Sequence, residues 1–221
     1  MQPEVLERET FDWIFILIIL SLSAFAWIRV SFPKRLAEFG TAFFSNRYIA
    51  QITREENPFL NISMIVLFLN YLINMSIFIF LLNQSFGLND LLNDGIRSFL
   101  LVLFLLLAFD VIKLFFYWYT ASVFKTEQET SVQVLNLMLN RAGLGLFLVL
   151  SNLIFAYSGI SAQIVSILGV STVALMFLYR LIKSIPDYHK QGSYPVHYFI
   201  LYICTLEISP ILILGKYFVS V

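Results

Sequence analysis

Charged residues are scarce in this sequence. Only 13% of its 221 residues are charged and 59% are hydrophobic, whereas about a quarter of the residues in a typical soluble domain are charged. This composition excludes an ordinary soluble domain and predicts an integral membrane protein. The 14 basic and 14 acidic residues balance, so the overall charge gives no indication of a nucleic-acid partner.

Cysteine and the common catalytic motifs are also scarce or missing. Cys204 is the single cysteine, which excludes an intrachain disulfide. The sequence contains no GxSxG, HExxH, Walker or CxxC motif, the short patterns that place a nucleophile, a zinc ion or a phosphate. Asp187, His189 and His197 are too few to predict a metal site, because such sites need several convergent ligands. We therefore predict no catalytic residue, no metal and no cofactor.

Six apolar stretches are each long enough to cross the ~30 Å of hydrocarbon in a bilayer as a helix. No internal repeat and no linker divides the chain. We therefore predict an all-α membrane protein, a six-transmembrane-helix bundle in which residues 1–221 form a single integral membrane domain. The predicted spans are 11–30, 59–83, 96–124, 131–157, 163–183 and 196–219.

Residues 31–58 form the longest hydrophilic stretch, and they combine spaced rings with cations. Leu36, Phe39, Phe43 and Phe44 recur at helical spacing. This pattern predicts an amphipathic helix in the cytoplasmic membrane interface, with its cations near lipid headgroups. A cytosolic connector with some buried rings is the alternative. The interfacial cations are Lys34, Arg35, Arg47 and Arg54.

Lysine and arginine are distributed unevenly between the two sides of the predicted bundle. Cytoplasmic loops of membrane proteins carry an excess of these residues, and here most of them lie in or beside the loops that follow the first, third and fifth spans. We therefore predict a multi-pass protein of the bacterial inner (cytoplasmic) membrane with both termini periplasmic. The cytoplasmic set is Arg29, Lys34, Arg35, Arg47, Arg54, Lys125, Arg180, Lys183 and Lys190, and the opposite set is Arg8, Arg97 and Lys216.

Four charged residues lie deep inside the predicted spans, away from the span ends, where charges are costly and need partners. Asp110 and Arg141 fall at similar depth on two spans joined by a short loop, and with Lys113 and Glu207 their charges sum to zero. We predict a buried polar cluster of these four. Lys113 could instead reach the interface along its flexible stem. Asp110 and Arg141 could be a structural ion pair or take part in transport or catalysis. Glu207 precedes Pro210, which predicts a helix kink that either binds a cation or proton or only packs.

Three segments of the sequence resemble one family. They are residues 199–216 (FILYICTLEISPILILGK), 44–48 (FSNRY) and 56–59 (ENPF). Together they resemble a bacterial family of about two hundred residues that is classed as a domain of unknown function. The shared C-terminal motif is Cys204, Glu207 and Pro210. The resemblance implies an envelope protein of Gram-negative bacteria with several membrane spans, and it implies no activity.

Three functional hypotheses follow from these observations. The first is a non-enzymatic inner-membrane subunit or scaffold of a cell-envelope complex for secretion or assembly. Its partners would be the lipid bilayer and either other membrane proteins or further copies of the chain. The second is a small ion- or proton-coupled transporter that uses the buried carboxylate of Glu207. The third, a lipid-modifying enzyme, has the least support, because no nucleophile and base are found together.

Overall fold

The computed structural model describes residues 12–44, 62–86, 95–124, 127–157 and 162–190. The described part is almost entirely helical. The predicted sixth span, 196–219, and the cations Arg47 and Arg54 lie outside it. Its six helices are α1 (Asp12–Ser31), α2 (Pro33–Phe44), α3 (Ile62–Phe86), α4 (Ile96–Phe124), α5 (Glu127–Tyr157) and α6 (Ala162–Lys190).

Helix boundaries follow local sequence signals. Pro33 occupies the first position of α2, where its missing N–H and fixed φ do no harm. Gly95 adopts a φ of 57° just before α4, a conformation that costs little only for glycine. Its carbonyl accepts a hydrogen bond from the Phe99 N–H at 3.2 Å, which opens the first turn. Within α3 and α4 no proline or glycine interrupts the apolar run, so both continue as long helices.

Four of the described helices are long and apolar enough to cross a membrane. The qualifying stretches are Asp12–Ser31, Ile62–Ser85, Ile96–Val123 and Thr130–Tyr157. They agree with the first four predicted spans and fit a multi-pass membrane protein. The predicted fifth span falls in α6, where the apolar part is the shorter stretch Ser166–Tyr179. The count of six spans therefore stays a prediction.

Helices α3 and α5 form the centre of the described bundle. Half of the apolar window of each is buried, whereas 22% is buried in α1 and in α4. Helix α3 contacts α1, α4, α5 and α6, and α5 contacts all five other described helices. Any group carried by the α3–α5 interface is therefore surrounded by protein on several sides.

Two hydrophobic clusters lie at opposite ends of the bundle. One joins α1, α2, α3 and α5, and the other joins α1, α3, α4 and α5. Because lipid tails are as apolar as these side chains, close packing and dispersion hold such helices together within a membrane. The first cluster is Ile28, Phe39, Ala42, Met64, Leu67, Leu135, Leu139 and Ala142; the second is Ile14, Ile18, Ile77, Phe80, Leu81, Phe99 and Val149.

The apolar face of α2 is turned toward the bundle. Phe39 and Ala42 are buried in the first cluster. The Phe43 ring stacks on Tyr179 of α6 with 5.5 Å between ring centroids. The Tyr179 hydroxyl donates to the Phe43 carbonyl at 3.0 Å, so it satisfies an acceptor that the end of a helix leaves open. Lys34 is exposed. A helix at 33–44 is thus present, and its place in the membrane interface stays a prediction.

Close approach of α3 and α5 depends on a glycine. A Cβ atom added to Gly145 would lie 3.0 Å from the Tyr71 Cα and 3.2 Å from the Tyr71 N. Both atoms belong to the backbone of α3, which cannot move aside as a side chain would. Small residues at helix crossings are common in membranes because they allow such contact. Gly145 therefore sets the separation of the two central helices.

Candidate functional site

Two of the four charged residues predicted inside the membrane are in direct contact. Arg141 Nη2 on α5 donates to Asp110 Oδ1 on α4 at 2.6 Å. Asp110 is 4% exposed and Arg141 7% exposed, so the pair is shielded from solvent. Charge-assisted bonds of this length are strong, and leaving either partner alone at such a buried position is costly. The ion pair joins two helices that follow each other in the chain.

The Arg141 guanidinium also faces aromatic rings of α3. Its Cζ lies 5.6 Å from the ring centroid of Phe68 and 5.7 Å from that of Tyr71, within the range of cation–π attraction. Arg141 Nη1 is buried and has no hydrogen-bond partner among the described residues. Arg141 thus connects three helices through one planar group.

Lys113 lies one turn after Asp110 on α4. It is 7% exposed, so protein encloses its side chain. Residues separated by three positions share a helix face, which places Lys113 on the side of α4 that carries Asp110. With the ion pair it forms a group of three buried charges, which we call the charged site: Asp110, Lys113 and Arg141.

A second polar group lies where α1, α3 and α5 meet. The Ser21 hydroxyl on α1 donates to Asn70 Oδ1 on α3, and Asn70 Nδ2 donates to the Ser21 carbonyl at 3.0 Å. Asn74 Nδ2 donates to the Ser21 hydroxyl at 2.6 Å and to the Asn70 carbonyl at 2.8 Å. Asn152 Nδ2 on α5 donates to the Asn74 carbonyl at 2.8 Å. We call these four residues the amide site.

The amide site is deeply buried and electrically neutral. Asn74 and Asn152 are both 0% exposed. Their Oδ1 atoms are buried and have no hydrogen-bond partner within the described helices. An amide does not titrate, and it both donates and accepts. The site is therefore suited to holding helices in register, and it offers no acid or base.

The remaining predicted site residues fall in several places. Glu207 and Pro210 lie outside the described residues, as do the interfacial cations Arg47 and Arg54. Lys34 and Arg35 are both in the first turn of α2. Within the described residues no group of three or more His, Cys, Asp and Glu could hold a metal ion.

The amide site was not among the sites predicted from the sequence. Asn70 and Asn74 share a helix face by their i, i+4 spacing, which indicates a helix contact but not its partner. Ser21 carries a small hydroxyl near the middle of a largely apolar span. Ser21 and Ser23 are the two polar residues near the middle of this span, and they were the available signal, because unsatisfied polar groups are avoided in hydrocarbon.

Comparison with known families agrees with the sequence resemblance. Over residues 14–218 the chain matches the family described as Domain of unknown function (DUF4271). The chain belongs to this family. The resemblance to an uncharacterised family of about two hundred residues is thereby confirmed. No curated protein and no solved structure matches the chain. The charged site and the amide site are therefore the features of this DUF4271 protein that bear on its function.

Proposed function

We propose that this DUF4271 protein is a non-enzymatic integral protein of the bacterial inner membrane. In this proposal it serves as a subunit or scaffold of a cell-envelope complex for secretion or assembly. The observation that carries the proposal is the use of the buried polar side chains. Arg141 is bonded to Asp110, and the amide site joins three helices. Side chains that could serve chemistry or transport instead hold the bundle together.

The outer surface of the bundle supports a role in assembly. On α4, Phe104, Phe115 and Trp118 are 69%, 66% and 73% exposed. In a membrane such a face lies against lipid tails or against the helices of another protein, since both are apolar. Large aromatic side chains are also enriched in protein interfaces. We therefore propose that α4 lies at the lipid or partner boundary, with other membrane proteins or a second copy as the partner.

The distribution of cations supports one orientation of the bundle. Arg29 in the last turn of α1 and Lys34 in the first turn of α2 are exposed, and they lie at the same end of the bundle. Cytoplasmic ends of membrane helices carry an excess of such cations. In the proposed orientation this end faces the cytoplasm and both termini face the periplasm.

The experiment that tests the scaffold proposal is native purification. A tagged full-length chain, expressed from its own promoter, would be extracted in mild detergent and its bound proteins quantified. We expect other envelope proteins in a constant ratio to the chain. A tagged inner-membrane protein of similar abundance serves as the control for detergent carry-over. Recovery of the chain alone, or with only the proteins found in the control, would contradict the proposal.

A second candidate, an ion- or proton-coupled transporter, is favoured by one observation. Buried polar atoms lacking partners among the described residues occur in both sites, namely Asn74 Oδ1, Asn152 Oδ1 and Arg141 Nη1. Polar groups inside membrane bundles often mark an ion path. Uptake of protons or sodium into liposomes separates the two candidates. Uptake that Glu207→Gln abolishes, while the thermal unfolding curve is unchanged, would favour the transporter and exclude the scaffold proposal.

A further inference from the structure

The short connection between α1 and α2, residues 29–34, is the starting point for a further inference. We call it the α1–α2 junction. A single residue, Phe32, separates the two helices. Its N–H donates to the Ile28 carbonyl at 2.8 Å, and its carbonyl accepts from the Leu36 N–H at 3.0 Å. Hydrogen bonds on both sides of Phe32 therefore hold the last turn of α1 and the first turn of α2 in a defined relation.

Two cations lie on either side of Phe32. Arg29 is in the last turn of α1 and Lys34 in the first turn of α2, and both are exposed. No ion pair joins either of them to another described residue. Glu38 is the single acidic residue between positions 13 and 44, and it is half-buried. The exposed charge of the α1–α2 junction is therefore positive.

The level of the junction in the membrane follows from α1 and from Trp27. Helix α1 has 20 residues, which at ~1.5 Å per residue span ~30 Å, the thickness of the hydrocarbon. Trp27 is 47% exposed, and its ring lies edge-on to Phe32 with 5.8 Å between centroids. Tryptophan is enriched where acyl chains meet headgroups. Arg29 and Lys34 follow Trp27 in the chain and therefore lie at the level of the headgroups.

Helix α2 offers little apolar surface to lipid. Phe39 and Ala42 are buried in the first cluster, and the Phe43 ring stacks on Tyr179. None of the large apolar side chains described in α2 is exposed. An amphipathic helix usually binds a membrane by burying such side chains among acyl chains. Here the attraction to lipid must come mainly from charge, and so from the headgroup.

We propose that the α1–α2 junction binds the phosphate of an acidic phospholipid, with Arg29 and Lys34 as its cationic contacts. Arginine bonds phosphate oxygens through its planar fork, and lysine attracts them as a point charge. A lysine or arginine beside an anionic membrane surface raises affinity about fivefold, so two raise it about 30-fold. The binding is independent of the proposed scaffold role and of which side of the membrane the junction faces.

The stability of the full-length protein in the presence of lipid tests the proposal. Purified protein in an uncharged detergent would receive phosphatidylglycerol, which is acidic, or phosphatidylcholine with the same acyl chains, which has no net charge. A ligand that binds the folded state raises the midpoint of thermal unfolding. We expect phosphatidylglycerol to raise the midpoint to a plateau at a much lower concentration than phosphatidylcholine. Inorganic phosphate at the same concentration should leave the midpoint unchanged.

Three single substitutions locate the binding. Arg29→Gln and Lys34→Gln should each raise the phosphatidylglycerol concentration for half of the effect about fivefold, and together about 30-fold. Arg97→Gln is the matched control. Arg97 is also exposed, but it lies at the other end of the bundle, where Trp13 at the start of α1 contacts Phe99. This control should leave the concentration unchanged.

Three results would overturn the proposal. They are an equal response to the two lipids, an equal loss in Arg97→Gln, and a shift of the same size with inorganic phosphate. Native mass spectrometry of the protein extracted from membranes gives a second measurement that does not depend on unfolding. Phosphatidylglycerol retained by the wild type should be lost from the Arg29→Gln, Lys34→Gln double variant, and equal retention by the two proteins would also overturn the proposal.

Discussion

Asn74 connects three helices through one side chain and its own carbonyl. Its amide nitrogen donates to Ser21 on α1 and to the Asn70 carbonyl on α3. Its carbonyl accepts from Asn152 on α5. Hydrogen bonds between membrane helices contribute about 0.6 kcal/mol on average and up to about 1.7 kcal/mol. A residue with two such bonds at 0% exposure should therefore matter more than an ordinary polar residue.

Replacing Asn74 tests this role. Asn74→Leu removes the interhelical bond of its side chain to Ser21 and its bonds to Asn70 within α3, and it leaves Ser21 and Asn70 with fewer partners. We expect the free energy of unfolding in a detergent titration to fall by about 1–3 kcal/mol, the usual cost of unsatisfied buried polar groups. Ser171→Ala is the matched control, because Ser171 is exposed and its hydroxyl donates to the Leu168 carbonyl of its own helix. An equal effect of the two substitutions would contradict the prediction.

At the scale of whole helices, hydrophobic length predicted most of the described elements. The predicted span 96–124 has the same bounds as α4, and 11–30 differs from α1 by one residue at each end. These stretches are continuous apolar runs, for which length alone is informative. The prediction for α6 ended at residue 183, yet the helix continues through Pro186 to Lys190. A proline removes one helix hydrogen bond but does not forbid helix.

The site was less predictable than the helices. The depth of Asp110 and Arg141 in the membrane, counted along their helices, was enough to suggest that the two residues could meet. Sequential spans that are joined by a short loop are usually neighbours. The depth of a residue does not show how its helix is rotated about its own axis. The approach of Phe68 and Tyr71 to Arg141, and the place of Ser21 beside Asn74, depend on that rotation and on the helix order in space. Sequence spacing alone does not determine either quantity.

The α3–α5 crossing yields a prediction for Gly145. Gly145→Ala places a Cβ against the Tyr71 backbone at 3.0 Å, so the helices must separate. Overpacking of this kind costs about 1–3 kcal/mol, and thermal unfolding in detergent would measure it. Gly40→Ala is the control, since a Cβ there meets nothing within 4 Å. Replacing a helical glycine in open space should stabilise by about 0.5–1 kcal/mol. Destabilisation of equal size in both variants would contradict the packing argument.

At the scale of the whole molecule, the proposed orientation predicts the location of each loop. A reporter enzyme that is active only in the periplasm should be active when fused after residue 90, between α3 and α4. The same reporter should be inactive when fused after residue 125, between α4 and α5, because Arg29 and Lys34 mark that end as cytoplasmic. A fluorescent protein that matures only in the cytoplasm gives the reciprocal control. The reverse pattern of activities would contradict the orientation.

The charged site and the amide site together link four of the described helices, α1, α3, α4 and α5. The ion pair joins α4 to α5, and the amide site joins α1 and α5 to α3. The central claim is that these polar side chains serve helix association. If so, removing one partner of the ion pair should be worse than removing both, because a lone buried charge is left in the first case.

A double-mutant cycle at the ion pair tests this claim most directly. The free energy of unfolding would be measured for the wild type, Asp110→Leu, Arg141→Met and the double variant in the same detergent. We predict that each single substitution costs about 3–5 kcal/mol, the usual effect of breaking a buried pair, and that the double variant loses less than the worse single variant. Losses that add up in the double variant would contradict the claim, since the two side chains would then act independently.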